Sequence, residues 1–284
     1  MTVTVKALVA QHGVQAGTSI TIPAKRVGSH RRAIPSAFPQ WAALTWRTVR
    51  SMVRTGGIYV SMLSPVVFGL GFYLPLKYVM QFQGIDYAQF VMPIIVLQAM
   101  AFTAISAAQL SSMEGTTGFS TRMQTMPVAS AVPLLSRISA GVVRSLVSLT
   151  AAIAFGYAIG FRFFGGWQQI LLFSAIAMAF SITLSLGADA IGSLSKSPEA
   201  TAQALTLPQL ILGMLSCGFA PESGFPEWIR PFVRNQPVSQ YSFALRDLAE
   251  GNVTWSVLFP SAAWTVGLLI AFLPLALWAS LRRE

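Results

Sequence analysis

The sequence predicts an all-α polytopic membrane protein. Six transmembrane helices are expected, with an N-terminal interfacial amphipathic helix and outer re-entrant helices between spans five and six. Three observations carry this. The 284-residue chain is 54% hydrophobic and only 10% charged, with a mean hydropathy of +0.61, where an ordinary soluble domain has about 25% charged residues. Its charged residues bound six uncharged intervals, 17 to 31 residues long, and a membrane-crossing helix needs roughly 17–25 predominantly apolar residues. With both termini placed in the cytoplasm, 14 lysines and arginines fall inside and 5 outside, which is the positive-inside bias.

Residues 1–37 read as a disordered, basic cytoplasmic tail. Lys25, Arg26, Arg31 and Arg32 cluster there, so electrostatic attachment to the anionic inner leaflet is the alternative reading. No compact apolar segment follows Lys6 as a signal peptide would require, so insertion is expected to use the first span. Residues 38–284 form the transmembrane domain. From Pro39 the pattern becomes amphipathic. Arg47, Arg50 and Arg54 share one helical face, while Trp41, Trp46, Val49, Met52 and Val53 occupy the rest. Such a helix lies along the membrane surface with its arginines toward phosphate and water. Gly56-Gly57 marks its end.

The spans are expected at about 57–77, 88–112, 141–162, 167–190, 200–219 and 256–280. The third requires Arg144 to lie near a membrane face. Gly156 and Gly160 in that span form a small-xxx-small pair that favours close helix packing. Cys217, the single cysteine, is expected as a small buried residue of the fifth span. Two inner connections remain. Ser195 to Glu199 is a tight turn. Met113 to Ser136 is longer, and Gly118 to Met126 has the makings of a short helix that stops at Pro127.

Several function classes fall away. The two histidines, His12 and His30, lie in the tail, which leaves no metal cluster to expect, and no Walker-type phosphate loop occurs. The net charge of +10 belongs to the inner face of a membrane protein, so no nucleic-acid partner is expected. Internal repeats of the kind used by many secondary transporters are not visible. Within the spans the notable carboxylate is Asp189. It forms an ion pair with Arg144, or is solvated at the inner end, or couples protons.

The most unusual stretch is Ala220 to Leu248, which interleaves Phe225, Trp228, Ile229, Phe232, Tyr241 and Phe243 with four prolines and several charges. Aromatic residues in such a setting sit at headgroup depth, and the prolines break the stretch into short helices.

Three ordered motifs carry a family resemblance over residues 38–284. The first is the amphipathic helix Pro39–Arg54, which resembles a connecting helix. Next come Met113-Glu114-Gly115-Thr116 and Met126-Pro127-Val128, similar to an "REKGT…TPV" loop whose coupling helix docks on an ATPase. The last is Phe225-Pro226-Glu227-Trp228 with Asn235-Gln236-Pro237-Val238-Ser239 and Leu245-Arg246, similar to an "FPxW…NPxxY…LR" stretch. Together they resemble an ABC-2 type transporter permease. The spelling FVRNQPVSQ is most similar to the daunorubicin-resistance B-type permeases of actinobacteria. Met113 stands where that family often has arginine, and Arg122 where an acidic residue is commoner.

The resemblance implies a non-enzymatic, multi-pass subunit of the cytoplasmic membrane that exports a hydrophobic substrate, a complex lipid such as phthiocerol dimycocerosate or an anthracycline-like drug. ATP and magnesium would be bound by a separate ATPase subunit. A second permease, a paralogue or another copy of the chain, would complete the path among the membrane lipids. Glu114, Gly115, Arg122, Met126 and Pro127 would couple to the ATPase. Phe225, Pro226, Trp228, Phe232, Asn235, Pro237 and Arg246 would form the outer exit. The alternatives are an ion-coupled secondary transporter and a non-transporting assembly subunit of a lipid-export complex.

Overall fold

The computed structural model describes residues 37–81, 84, 86–117 and 131–281, and it is helical throughout, with no strand among the described residues. Long apolar helices are what a chain without water to satisfy its backbone must form. In chain order they are α1 (Ala37–Arg54), α2 (Gly57–Gln81), α3 (Tyr87–Thr116), α4 (Ala131–Ile159), α5 (Trp167–Leu194) and α6 (Pro198–Met214). After a short 3₁₀ turn at Glu222–Gly224 come α7 (Arg230–Asn235), α8 (Pro237–Ala249) and α9 (Trp255–Leu281). Helices α2, α3, α4, α5 and α9 are long and apolar enough to cross a membrane. The expected fifth span falls on α6, a 17-residue helix outside that group. It ends at Met214, so Cys217 lies in the buried turn that follows rather than in a span.

Burial ranks the helices. In its most apolar window α3 is 78% buried, against 11% for α9 and 22% for α2, so α3 is the central post. It packs against α2, α4, α5, α6 and α8, and α9 leans on α5 and α8. Met92, Ile94, Ile95 and Leu97 of α3 lie at 0–1% exposure in the main core cluster. The outer helices show the opposite pattern. Val60, Leu63 and Val67 of α2, and Phe259, Val266 and Ile270 of α9, are exposed. Apolar surface continued around a helix is what lipid solvates and water does not.

Close approach fixes the α3–α5 crossing. A Cβ on Gly192 would stand 2.7 Å from the Ala108 Cα, so only glycine permits it. Elsewhere along the same helices a polar knot adds to this: the Thr103, Ser145 and Ser181 hydroxyls of α3, α4 and α5 lie 2.7–3.0 Å from one another. Hydroxyls hydrogen-bonded across helices are a common adhesive in membranes.

Two expectations about glycine separate here. Gly156 does pack closely, with the Met92 sulfur where its side chain would be, whereas Gly160 has φ +109° and no neighbour at that position. Gly160 is therefore the left-handed residue that ends α4, a role open to glycine at little cost. Gly56, at φ +82°, likewise separates α1 from α2 as the Gly-Gly pair led one to expect.

Helix α1 packs on α4 and α2. Thr48 and Met52 are buried, and the Trp41 indole donates to the Ser139 hydroxyl at 3.0 Å. Arg47, Arg50 and Arg54 are exposed on a second face, and Trp46 and Val53, seven residues apart, project on a third.

Candidate functional site

Charged side chains gather at both ends of α3. At its C-terminal end an ionic cluster joins four helices. Glu114, in the last turn of α3, receives Arg137 of α4 at 3.3 Å and Arg47 of α1 at 3.6 Å. Arg137 then reaches Asp189 of α5 with two parallel bonds, Nε to Oδ1 at 2.8 Å and Nη2 to Oδ2 at 3.1 Å. The fork of a guanidinium matches a carboxylate in this bidentate way. Side-chain exposure falls along the chain of charges, from 50% at Arg47 through 14% at Glu114 and 10% at Arg137 to 5% at Asp189. Two arginines meet two carboxylates, so the cluster is neutral as a unit. That neutrality allows it to sit at the edge of an apolar bundle.

This corrects the expected ion pair. Asp189 is held by Arg137, and among the described residues Arg144 has no ion pair, although both line the same small gap beside Met52, Gly141 and Ser185. Arg144 is 6% exposed and its Nε has no hydrogen-bond partner. The two arginines are seven residues apart and so face the same way, about two helical turns from each other. The expected span began at 141 and left Arg137 outside it. In fact α4 begins at Ala131, and Arg137 belongs to its buried face.

Gly115 lies exposed in the last turn of α3. Arg122, Met126 and Pro127, together with the expected short helix Gly118–Met126, lie outside the described residues. Glu114 and Gly115 are thus the expected coupling residues that can be placed, and they stand where α3 runs into that connection.

At the other end of α3 the aromatic segment becomes helical from Arg230, in α7 and α8. Pro237 opens α8 as its first residue, where a missing N–H costs nothing, and Tyr241, Ala244, Leu245 and Leu248 are fully buried. Arg246 binds it to α3. Its Nη2 donates to the Phe90 carbonyl at 2.9 Å and the Cys217 carbonyl at 3.4 Å, and its guanidinium lies 3.9 Å from the Phe90 ring centroid. Burial pushes the Arg246 guanidinium down to about 10, with Glu250 acting the other way, so it remains charged at neutral pH. The Asn235 carbonyl accepts from the Trp264 indole of α9 at 3.1 Å, and the Asn235 side chain caps α7 by donating to the Pro231 carbonyl at 2.9 Å. Arg230 donates to the Phe225 carbonyl at 2.8 Å. The Pro226 ring and the Trp228 and Phe232 side chains are exposed, Trp228 at 81%.

Phe90 and Glu114 share one helix, and at 1.5 Å per residue they stand about 36 Å apart. One packed helix therefore joins the Glu114 cluster to the Arg246 contacts. Among the described residues no group of histidine, cysteine and carboxylate side chains could hold a metal ion.

Comparison with known proteins agrees with this architecture. The model of the ABC-2 family transporter protein matches residues 74–281. The doxorubicin resistance ABC transporter permease protein DrrB of Mycobacterium tuberculosis H37Rv is 32% identical over 271 residues, which covers 90% of this chain and 93% of that protein. The probable doxorubicin resistance ABC transporter permease protein DrrC of the same strain is 28% identical over 240 residues, 81% of this chain and 86% of that protein. The daunorubicin resistance ABC transporter permease protein DrrB1 of Streptomyces coeruleorubidus is 23% identical over 185 residues, 65% of this chain and 62% of that protein.

Proposed function

The chain belongs to the ABC-2 family of transporter proteins, and on that premise we propose that it is the permease subunit of an exporter for a hydrophobic molecule. As a permease it is a transport component and not a catalyst, and the ATPase is a separate subunit. That subunit binds ATP and magnesium. The resemblance to both DrrB and DrrC supports pairing with a paralogous permease.

The observation that carries the coupling mechanism is the ionic cluster at Glu114. Closure of the ATPase pushes the connection after Thr117. Glu114 takes up the movement, and Arg137 and Asp189 oblige α4 and α5 to move with α3. Packed helices shift as bodies between discrete arrangements, and Arg246 hands the shift to α7 and α8. The Glu114 end lies in the cytoplasm on this reading, since the positive-inside division of lysines and arginines supports that orientation. Both termini share that side of the cytoplasmic membrane.

On the same reading α6 is a short sixth crossing, and α7 with α8 dips back from the outer face. Exposed Trp228 and Phe232 anchor the dip at headgroup depth. Helix α1 rests on the inner surface, with Trp46 and Val53 toward hydrocarbon and its arginines toward phosphate. The cargo is an anthracycline-like drug or a complex lipid of the dimycocerosate type. An ion-coupled mechanism fits less well, because the deeply buried Asp189 carboxylate is occupied on both oxygens by Arg137.

Co-purification with its ATPase subunit, followed by reconstitution in proteoliposomes, tests the proposal. Daunorubicin or dimycocerosate movement should require ATP and stop with vanadate. Transport that persists without ATP and follows an imposed proton or sodium gradient would overturn it.

A further inference from the structure

A cavity of about 350 Å³ lies between α3, α5, α6, α8 and α9, within the size range of small-molecule sites. No charged residue lines it, and its two polar side chains are Gln98 of α3 and Gln209 of α6. These meet each other, with the Gln209 amide nitrogen donating to the Gln98 amide oxygen. The contact leaves two groups over. The Gln98 Nε2 amino group and the Gln209 Oε1 lone pairs are both buried without a protein partner, and Gln98 as a residue is 3% exposed. Turning both amides over gives the same remainder, one donor and one acceptor.

Gly213 makes this arrangement possible. A Cβ there would collide with the Gln98 amide nitrogen, so the glycine leaves the slot in which the amide sits. Unpaired polar groups are disfavoured in an apolar interior, and here a donor and an acceptor are left over on two side chains that meet across facing helices. Ile191 and Pro208 line the cavity and are nevertheless exposed, so it opens onto the apolar flank of the bundle.

We propose that this cavity is a binding site for an uncharged, largely hydrocarbon molecule bearing a hydroxyl group. One hydroxyl oxygen both donates and accepts, and so satisfies Gln209 Oε1 and Gln98 Nε2 together. An alkane satisfies neither, and an ester only the donor. A charged headgroup finds no counter-charge. The molecule enters sideways from the bilayer through the Ile191–Pro208 opening. That the site holds cargo rests on the transport reading above, with the cargo then a hydroxyl-bearing lipid rather than the diester or the amino-sugar drug named there; that it binds an apolar alcohol does not.

The test uses the full chain in phosphatidylcholine nanodiscs and a sixteen-carbon alcohol carrying a mid-chain diazirine, with labelled peptides read by mass spectrometry. Label should concentrate on lining residues such as Ala101 and Leu205. Hexadecanol should compete about tenfold better than hexadecane at equal mole fraction in the bilayer, the ratio that one net hydrogen bond gives. In Gln98→Leu and in Gln209→Leu that preference should vanish while labelling by the hydrocarbon chain persists. Gly213→Ala should abolish the preference without removing a polar group. Equal competition by alkane and alcohol in the unmodified chain would mean ordinary acyl-chain occupancy and would overturn the proposal. So would label spread over the lipid-facing residues of α2 and α9, or cross-links between two copies through Leu205. Adding the ATPase subunit with ATP and vanadate should then lower the label several-fold. Unchanged label with the alcohol preference intact would refute the cargo role and leave the binding site standing.

Discussion

Arg137 holds both carboxylate oxygens of Asp189, at 2.8 and 3.1 Å, and extends its remaining nitrogen to Glu114 at 3.3 Å. One guanidinium thus ties the last turn of α3 to α4 and α5. Removing one partner from such a buried pair leaves an uncompensated charge, whereas removing both does not. Asp189→Leu alone should lower unfolding stability by about 3–5 kcal/mol, and Arg137→Leu with Asp189→Leu should recover much of it. Thermal unfolding in detergent measures this. A double variant as unstable as the sum of the singles would show that the two residues act independently.

Arg144 should behave in the opposite way. It is buried, with an unpartnered Nε and no ion pair among the described residues. Arg144→Leu is expected to leave stability unchanged or raise it by up to about 2 kcal/mol, since a desolvated charge is replaced by hydrocarbon. The same thermal assay decides, and a loss as large as that of Arg137→Leu would restore Arg144 as the partner of Asp189.

Arg246 anchors α8 by charge-assisted bonds to the Phe90 and Cys217 carbonyls. Arg246→Ala should cost about 1.5–3 kcal/mol, the range for hydrogen bonds to a charged group, and should increase hydrogen exchange in α8 more than in α5. Uniform exchange across both helices would contradict a local anchor.

Trp228 is 81% exposed, so Trp228→Ala should change stability by less than about 0.5 kcal/mol. Its proposed place at the outer interface predicts a reduced export rate instead. In a Cys217→Ala background, Trp228→Cys should react with a membrane-impermeant maleimide on intact cells. Reaction only after permeabilisation would reverse the orientation.

How much was legible in the sequence follows from where its charges are. The uncharged intervals placed α2, α3, α5 and α9 within a few residues of their observed ends, because lipid imposes an unbroken apolar run on a crossing helix. The same rule failed at α4. It treats each charge as a boundary, yet Arg137 lies inside the helix and is neutralised by carboxylates from two others. Such pairing belongs to the tertiary structure and has no local signal. Spacing did hold one clue, since Arg137 and Arg144 occupy the same face of one helix. Gly160 failed for a related reason, as a small residue reads alike whether it packs or ends a helix. The pairing of Gln98 with Gln209, 111 residues apart, could be seen only once the helices were assembled.

On the proposed mechanism, force enters the bundle at Glu114. Glu114→Gln keeps the shape of the side chain, removes its charge, and leaves the Arg137–Asp189 bonds in place. Reconstituted with its ATPase subunit, this variant should assemble normally and hydrolyse ATP, while the amount of substrate moved per ATP falls at least about tenfold, the loss of some 1.4 kcal/mol of coupling. Glu114→Asp should recover part of it. The same amount of substrate moved per ATP in Glu114→Gln as in the unmodified protein would contradict the account.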